Sequence, residues 1–379
     1  MIKAVLTNEI LKTITVIERN RYKVSAVKLS KSVANKLRKN SKKKSSFASN
    51  KIEGNPLSEK QVDEVIESDE RKHFLKPEQE VRNYFLALNY LEERGKKKEK
   101  FSKELILNVQ KYVEKGAAKE KIGLRGPMPP GVLFAVYDSE SGKPDYIPPE
   151  YCDIPALLDE LVEYVNTTDD HPLIVAAVVH YQLVTIHPFE DGNGRTARLL
   201  SGYILDINGF GFNGIGSLEE YFAYDIEEYN EYLQLRLPAL YYSGRDNPPH
   251  PEIWINYFLR MVLLYSNKIC EISERTSGEE IRGSLSYLKG KEKELLVFLL
   301  KNYKREFTPI EVSRAIGVTN KTVINRLSIL VKNGFVEPHL VNERIRNYEL
   351  SDFARRNEEE IKKHCCGRFL RRHVTDNRK

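Results

Sequence analysis

The sequence predicts a mainly α fold: a helical bundle carrying one β-hairpin, followed by a smaller domain of three helices and a second hairpin. Three observations predict it. Residues 1–53 contain neither proline nor glycine, the strongest interrupters of regular structure. Apolar residues then recur at helical spacing in most segments up to residue 266. Proline and glycine crowd instead into 121–150, where two short strand-like runs flank a turn.

At 379 residues the chain has room for two or three domains. Its 41% hydrophobic and 30% charged residues are ordinary for a globular protein. A net charge of +6 and a pI near 8.8 are too mild to identify a nucleic-acid partner by themselves. No apolar run approaches the ~20 residues that span a bilayer. Charges interrupt the apolar residues of the N-terminus, unlike the core of a signal peptide. Cys152, Cys270, Cys365 and Cys366 lack zinc-site spacing and read as reduced thiols. The expected location is the cytoplasm, with no membrane partner.

Within the helical first hundred residues, the lysine-rich 31–44 reads as a solvated helix face and linker. In 45–55, Ser49 and Glu53 are four apart and share a helix face, and Gly54 is a stop signal. Residues 56–94 read as two helices, the first opened by Ser58 with Gln61 three positions on, a capping box. A third, 101–115, is stopped by Gly116. Strand candidates at 132–137 and 145–147 flank a turn at 141–143. Helical spacing returns at 154–165 and leads into the apolar run 173–186, whose His180 reads as a locally satisfied core histidine. After a loop, 196–207 has the spacing of another buried helix. A glycine-rich loop (209–216), a tyrosine-laden helix (218–237) and an amphipathic helix with Trp254 (251–266) close the bundle. The charged stretch 274–290 reads as a linker. Beyond it come helices at 291–302, 309–316 (capped by Thr308) and 320–333 (capped by Thr319), then strands at 335–341 and 346–350. The expected domains are 1–100, 101–272 and 291–350, with a basic tail at 351–379.

The chemistry concentrates in 186–200, IHPFEDGNGRTARLL. Gly192 and Gly194 let the backbone approach a ligand, and amides converging at a helix start make an anion site. Arg195 and Arg198, three apart, point to one side of the new helix and suit phosphate oxygens. Asp191 supplies the hard oxygen that Mg²⁺ requires. His187 is the group that takes up a proton near neutral pH. Together these residues describe a phosphoryl or nucleotidyl transfer site.

Residues 187–198 match HPFx[DE]GNGRxxR at every specified position, and the chain resembles the Fic family of nucleotidyl transferases. The resemblance implies transfer of AMP from Mg-ATP to a Ser, Thr or Tyr hydroxyl of a target protein or of the chain itself. His187 would be the base, Asp191 the Mg²⁺ ligand, and Phe189 a buried anchor. Gly192, Asn193 and Gly194 would bind phosphate oxygens, with Arg195 and Arg198 on the β- and γ-phosphates. Ser49…Glu53-Gly54 satisfies the family's inhibitory motif [S/T]xxxE[G/N], which implies that Glu53 withholds Arg198 from the γ-phosphate. Residues 121–150 resemble the flap that pairs with the target segment. Tyr229 and Leu233, four apart, would flank the adenine, although Leu237 stands where many relatives have asparagine.

The C-terminal order of helix, turn, helix and hairpin resembles a winged helix. Asn320, Lys321, Thr322, Asn325 and Arg326 are then expected to contact DNA, with Arg344 and Arg346 on the wing. Such domains also mediate dimer and protein contacts, so a homodimer is a second expectation. Two rival functions use the same residues: a DNA-binding regulator with a nucleotide-sensing site, and removal of AMP with Glu53 orienting a water.

Overall fold

Helices dominate the computed structural model, as the proline-free and glycine-free stretches predict; it describes residues 5–27, 29–68, 73–117, 122–132, 134–137, 142–235, 250–341 and 344–366. Outside these residues lie Lys121, Leu133 and Ser141 of the expected hairpin region, Leu237, the wing-tip pair Asn342 and Glu343, and the tail from 367 on. The side chains of Arg344 and Arg346 are likewise not described. The chain divides into two units, Met1–Tyr22 with Asn35–Ile269, and Lys23–Ala34 with Cys270–Lys379.

The first unit begins with the greater part of α1 (Asn8–Ala26) and of α2 (Lys31–Ile52). The lysine-rich segment is thus continuous helix and not a linker, consistent with lysine's good helix propensity. Its lysines have partners on two further helices, α3 (Glu59–Glu67) and α4 (Lys76–Lys96). Lys43 is buried and bonds Glu67 at 2.8 Å and Asp63 at 3.2 Å, while Lys42 bonds Glu92 and, at 2.7 Å, Asn89. These contacts hold α2 against the bundle. The helix ends where Gly54 turns left-handed at φ +77°, a conformation that costs other residues a Cβ clash. The Ser58–Gln61 capping box opens α3 as expected.

α5 (Lys103–Glu114) precedes a small antiparallel hairpin of β1 (Val136–Tyr137) and β2 (Pro144–Tyr146), paired Val136 with Tyr146. β1 is shorter than the sequence implies, and β2 is as long as expected but begins one residue earlier. α6 (Ile154–Thr167) leads to α7 (Pro172–Ile186), which is apolar nearly all round and buried along almost its whole length, as such a helix must be. α8 (Asn193–Ile207) packs along it and starts three residues earlier than the spacing predicts. The expected helix 218–237 is broken into α9 (Glu219–Phe222) and α10 (Ile226–Leu233) because Asp225 caps the second, accepting from the Glu228 amide at 2.8 Å. α11 (Glu252–Ser286) runs straight through the expected linker. Burial of Ile281 and Leu285 offsets the ~1 kcal/mol that each of Gly278 and Gly283 costs a helix.

In the second unit, α12 (Gly290–Asn302), α13 (Pro309–Ile316) and α14 (Asn320–Lys332) enclose Leu296, Leu299, Val312, Val323 and Leu327. β3 (Val336–Val341) and β4 (Arg344–Leu350) form an antiparallel pair, Val336 opposite Leu350. Thr308 and Thr319 cap α13 and α14 as expected. The described part of the expected tail is not a tail. It forms α15 (Asp352–Arg356) and α16 (Glu358–Cys366), whose Ala354, Ile361 and Cys365 are buried in the same core. Residues 1–22 and 35–100 share one unit with 101–269, with no division near residue 100.

Candidate active site

Two left-handed residues set the loop between α7 and α8. His187, at φ +48°, ends α7, and Gly192, at φ +80°, caps α8. Asn193 closes the loop on itself: its amide nitrogen donates to the Phe189 carbonyl at 2.9 Å, and its oxygen accepts from the Phe189 amide at 3.0 Å. Phe189 is fully buried, an anchor as expected. The Asn193 side chain therefore shapes the loop, leaving the backbone amides as the groups offered to an anion. The His187 ring places Nδ1 3.2 Å from the Val184 carbonyl. Nδ1 must be the protonated nitrogen to donate there, which leaves Nε2 as the basic one. Burial pushes the imidazole down to about 4, with nearby Arg125 adding to the effect and Glu53 and Asp191 opposing it. The ring is neutral at pH 7, the state a base requires.

Arg125 has no role in the sequence reading, yet it ties the hairpin region to this loop. Its amide donates to the Pro188 carbonyl at 2.9 Å and its Nε to the His187 carbonyl at 2.8 Å; Nη2 donates to the Pro149 carbonyl. The guanidinium also lies 4.7 Å from the Phe134 ring centre.

Arg198 is almost fully buried and its donors are occupied. Nε donates to Ser49 Oγ at 2.8 Å, Nη2 to the Ser49 carbonyl at 3.1 Å and to Glu53 Oε1 at 2.5 Å, and Nη1 to the Tyr229 hydroxyl at 3.3 Å. Glu53 and Arg198 are thus brought together across 145 residues of sequence. Burial alone would raise the Glu53 carboxyl, but Arg198 and Arg195 outweigh it and hold it below its ordinary value. A Cβ at Gly194 would collide with Glu53 Oε1. The carboxylate therefore lies directly over the start of α8.

Arg195 is held differently. Its Nη2 lies 3.0 Å from Glu114 Oε1 and 3.1 Å from Asp191 Oδ1, which also accepts from the Gly192 amide at 2.8 Å. Glu114 is absent from the sequence reading. Its signal was on α5, where Gln110 and Glu114 sit on the buried stripe with Ile106, Val109 and Val113. Polar residues on such a stripe need partners.

Tyr229 does not offer a free ring face. It is 2% exposed and surrounded by His180, Phe222, Trp254 and Tyr257, and its hydroxyl is spent on Arg198 and, at 2.7 Å, His180 Nε2. Leu233 is half-buried. His180 is fully buried, with Ser201 Oγ 3.3 Å from its other nitrogen, as a satisfied core histidine should be. Among the described residues no three His, Cys, Asp or Glu side chains cluster as a metal site, and no helix is long and apolar enough to cross a membrane. In the second unit Asn320, Lys321 and Asn325 are exposed on α14, while Thr322 and Arg326 are half-buried.

Comparison with known proteins fits this geometry. Residues 100–205 match the Fic/DOC family. That stretch is similar to a Fic domain. A protein adenylyltransferase Fic of Nematostella vectensis is 45% identical over 69 residues, 17% of this chain and 16% of that relative. The protein adenylyltransferase fic-1 of Caenorhabditis elegans is 45% identical over 67 residues, 17% of this chain and 13% of that one. The matched stretch thus spans about a sixth or less of each relative's length. Among solved structures, a Fic family protein from Desulfovibrio desulfuricans G20 covers 93% of this chain and 98% of its own, with a TM-score of 0.59 and 19% identity. Fic-1 of C. elegans covers 70% of this chain and 73% of its own, with a TM-score of 0.56 and 22% identity. At these identities the likeness is one of fold. The Fic signature residues 187–198 run from the end of α7 into α8.

Proposed function

We propose that this protein transfers AMP from ATP to a hydroxyl of a protein, and that Glu53 restrains the reaction. The observation that carries the proposal is the neutral His187 imidazole, with Nε2 as its base, in the loop that leads into the start of α8. In the reaction, His187 Nε2 takes the proton of a Ser, Thr or Tyr hydroxyl. The oxygen attacks the α-phosphorus, the bond to the β-phosphate oxygen breaks, and pyrophosphate leaves. The backbone amides of Asn193 and Gly194 hold phosphate oxygens, that of Gly192 being taken by Asp191 Oδ1, and Arg198 holds the γ-phosphate once Glu53 releases it. Tyr229 acts by orienting Arg198; Leu233 remains the candidate wall for the adenine.

Asp191 fits a Mg²⁺ ion: it is a hard carboxylate with 30% of its side chain exposed, and Mg²⁺ takes one or two carboxylates with substrate phosphates completing its shell. When bound, the ion would neutralise phosphate charge. The β1–β2 hairpin is the proposed docking edge for the target segment, joined to the His187 loop by Arg125. The test is incubation with ATP labelled at the α-phosphate. Label on this chain or on an added protein is expected, and no label from Glu53→Gly protein with any nucleotide or protein fraction would overturn the reading.

For the second unit we propose a winged-helix domain that binds DNA through α14. Exposed Asn320, Lys321 and Asn325, with Arg326 beside them, support it. Full-length Lys321→Ala protein should bind duplex DNA more weakly, with a log K against log[salt] slope shallower by about 0.9. An unchanged slope and affinity would leave a protein-contact or dimer role instead.

A further inference from the structure

The two signature arginines both face carboxylates, but only one of those carboxylates stands in the way of nucleotide. Glu114 lies on the last turn of α5, is 1% exposed, and meets Arg195, itself 4% exposed, at 3.0 Å. The same Nη2 nitrogen reaches Asp191 Oδ1 at 3.1 Å. The loop leans on this carboxylate: a Cβ at Gly192 would come 2.6 Å from Glu114 Oε1 and 3.1 Å from Val113 Cγ1. A second tie from α5 runs from Gln110 Nε2 to the Asp191 carbonyl at 3.4 Å. The turn bearing Glu114 is itself fixed from α4, where Asn83 Nδ2 donates to the carbonyls of Val113 and Lys115, both at 2.8 Å.

We infer that Glu114 is a positioning residue for Asp191, acting through Arg195, and that it keeps the Asp191 carboxylate electrostatically available to a divalent cation. The inference rests on the nucleotide-transfer reading above. The charge count is simple. Glu114, Arg195 and Asp191 together carry −1. Without Glu114 the buried guanidinium has Asp191 as its remaining carboxylate in this group, and the sum is 0. Asp191 would then be drawn into a closed pair and its pull on a cation cancelled. Removal of Glu114 and Arg195 together returns the sum to −1. A role for Arg195 as a direct phosphate ligand makes the opposite prediction for that double change.

The experiment measures ATP binding by calorimetry, with Mg²⁺ and with chelator, in full-length Glu53→Gly/His187→Ala protein, which should bind nucleotide without turning it over. Adding Glu114→Gln should reduce the tightening of ATP by Mg²⁺ by about tenfold, the order expected for losing one unit charge a few ångströms from a divalent ion in a partly solvated site. Metal-free ATP affinity should not fall, since the same loss of negative charge favours the phosphates. Adding Arg195→Gln to Glu114→Gln should restore the Mg²⁺ response. The double change leaves no uncompensated buried charge, so it remains informative even where Glu114→Gln alone does not fold. A Glu114→Gln protein that keeps the full Mg²⁺ response overturns the inference. So does a double variant that fails to regain it, or one that loses metal-free ATP binding, since Arg195 would then be holding phosphate directly. Failure of the parent protein to bind ATP at all would instead count against the nucleotide reading itself.

Discussion

The two carboxylate–arginine pairs of the site have the same chemistry and opposite surroundings. Glu53–Arg198 joins a side chain 35% exposed to one 1% exposed, whereas Glu114–Arg195 is 1% and 4% exposed. Glu53 sits on the turn that ends α2, over the amides of α8, in reach of an incoming phosphate. Glu114 sits behind the loop, walled by α5 and Gly192. A pair with one side open to solvent can be exchanged for a ligand; a closed pair is part of the scaffold. Arg198 also keeps three other acceptors, on Ser49 and Tyr229, so it stays oriented when Glu53 leaves.

The largest effect expected is on chemistry. In the Glu53→Gly background, His187→Ala should lower AMP incorporation by ~10²–10⁴ while ATP binding persists. Undiminished incorporation would remove His187 from its role and leave the comparison of pairs without a reaction to govern. Stability should separate the pairs next. Urea unfolding should show a loss of about 3–5 kcal/mol for Glu114→Ala, which removes a buried carboxylate and leaves the buried guanidinium with Asp191 alone. Glu53→Ala should cost about 1 kcal/mol or less, its carboxylate being partly solvated. Equal losses would mean that the two pairs do not differ as their burial implies. In the Glu53→Gly background, Ser49→Ala removes one of the acceptors that orient Arg198, worth about 1 kcal/mol, so AMP incorporation should fall about fivefold. An unchanged rate would mean that Arg198 is held by its other acceptors.

The smallest expected effect is that of pH. The folded Glu53 carboxyl lies below its ordinary 4.5, so the pair's contribution is present above pH 4.5 and fades only as pH falls through the folded value. Wild-type incorporation should therefore stay low from pH 5 to pH 8. In Glu53→Gly protein, which lacks one of the carboxylates that raise His187, the acid limb should fall no higher than about pH 4 and not near 6.5. A limb near 6.5 would mean that His187 is less enclosed in solution.

Legibility in the sequence tracked distance along the chain. The loop from His187 to Arg198 could be read because its parts are local, and so could the caps at Ser58, Thr308 and Thr319. The meeting of Glu53 with Arg198 was legible only by resemblance to a family. Glu114 was missed because its partner lies 81 positions later, although its place on an apolar stripe was a usable signal. The segment 31–44 misled by its lysine content, since the acidic residues that bind it lie on α3 and α4. The tail misled in the same way: its many charges hid Ala354, Ile361 and Cys365, which carry α15 and α16 into the core. Tyr229 shows the limit of the family resemblance, which placed it near the site but could not foresee that its hydroxyl would serve Arg198.

The central claim is that Glu53 and a nucleotide phosphate compete for one guanidinium. AMP incorporation by wild type, Glu53→Gly and Glu53→Gly/Arg198→Ala at equal ATP tests it most directly. Misplacement of the reacting atoms by about 1 Å can cost ~10²-fold, so Glu53→Gly should exceed wild type by a factor of that order, and the double variant should lose the gain. A Glu53→Gly protein no more active than wild type, or a double variant as active as Glu53→Gly, would contradict the account.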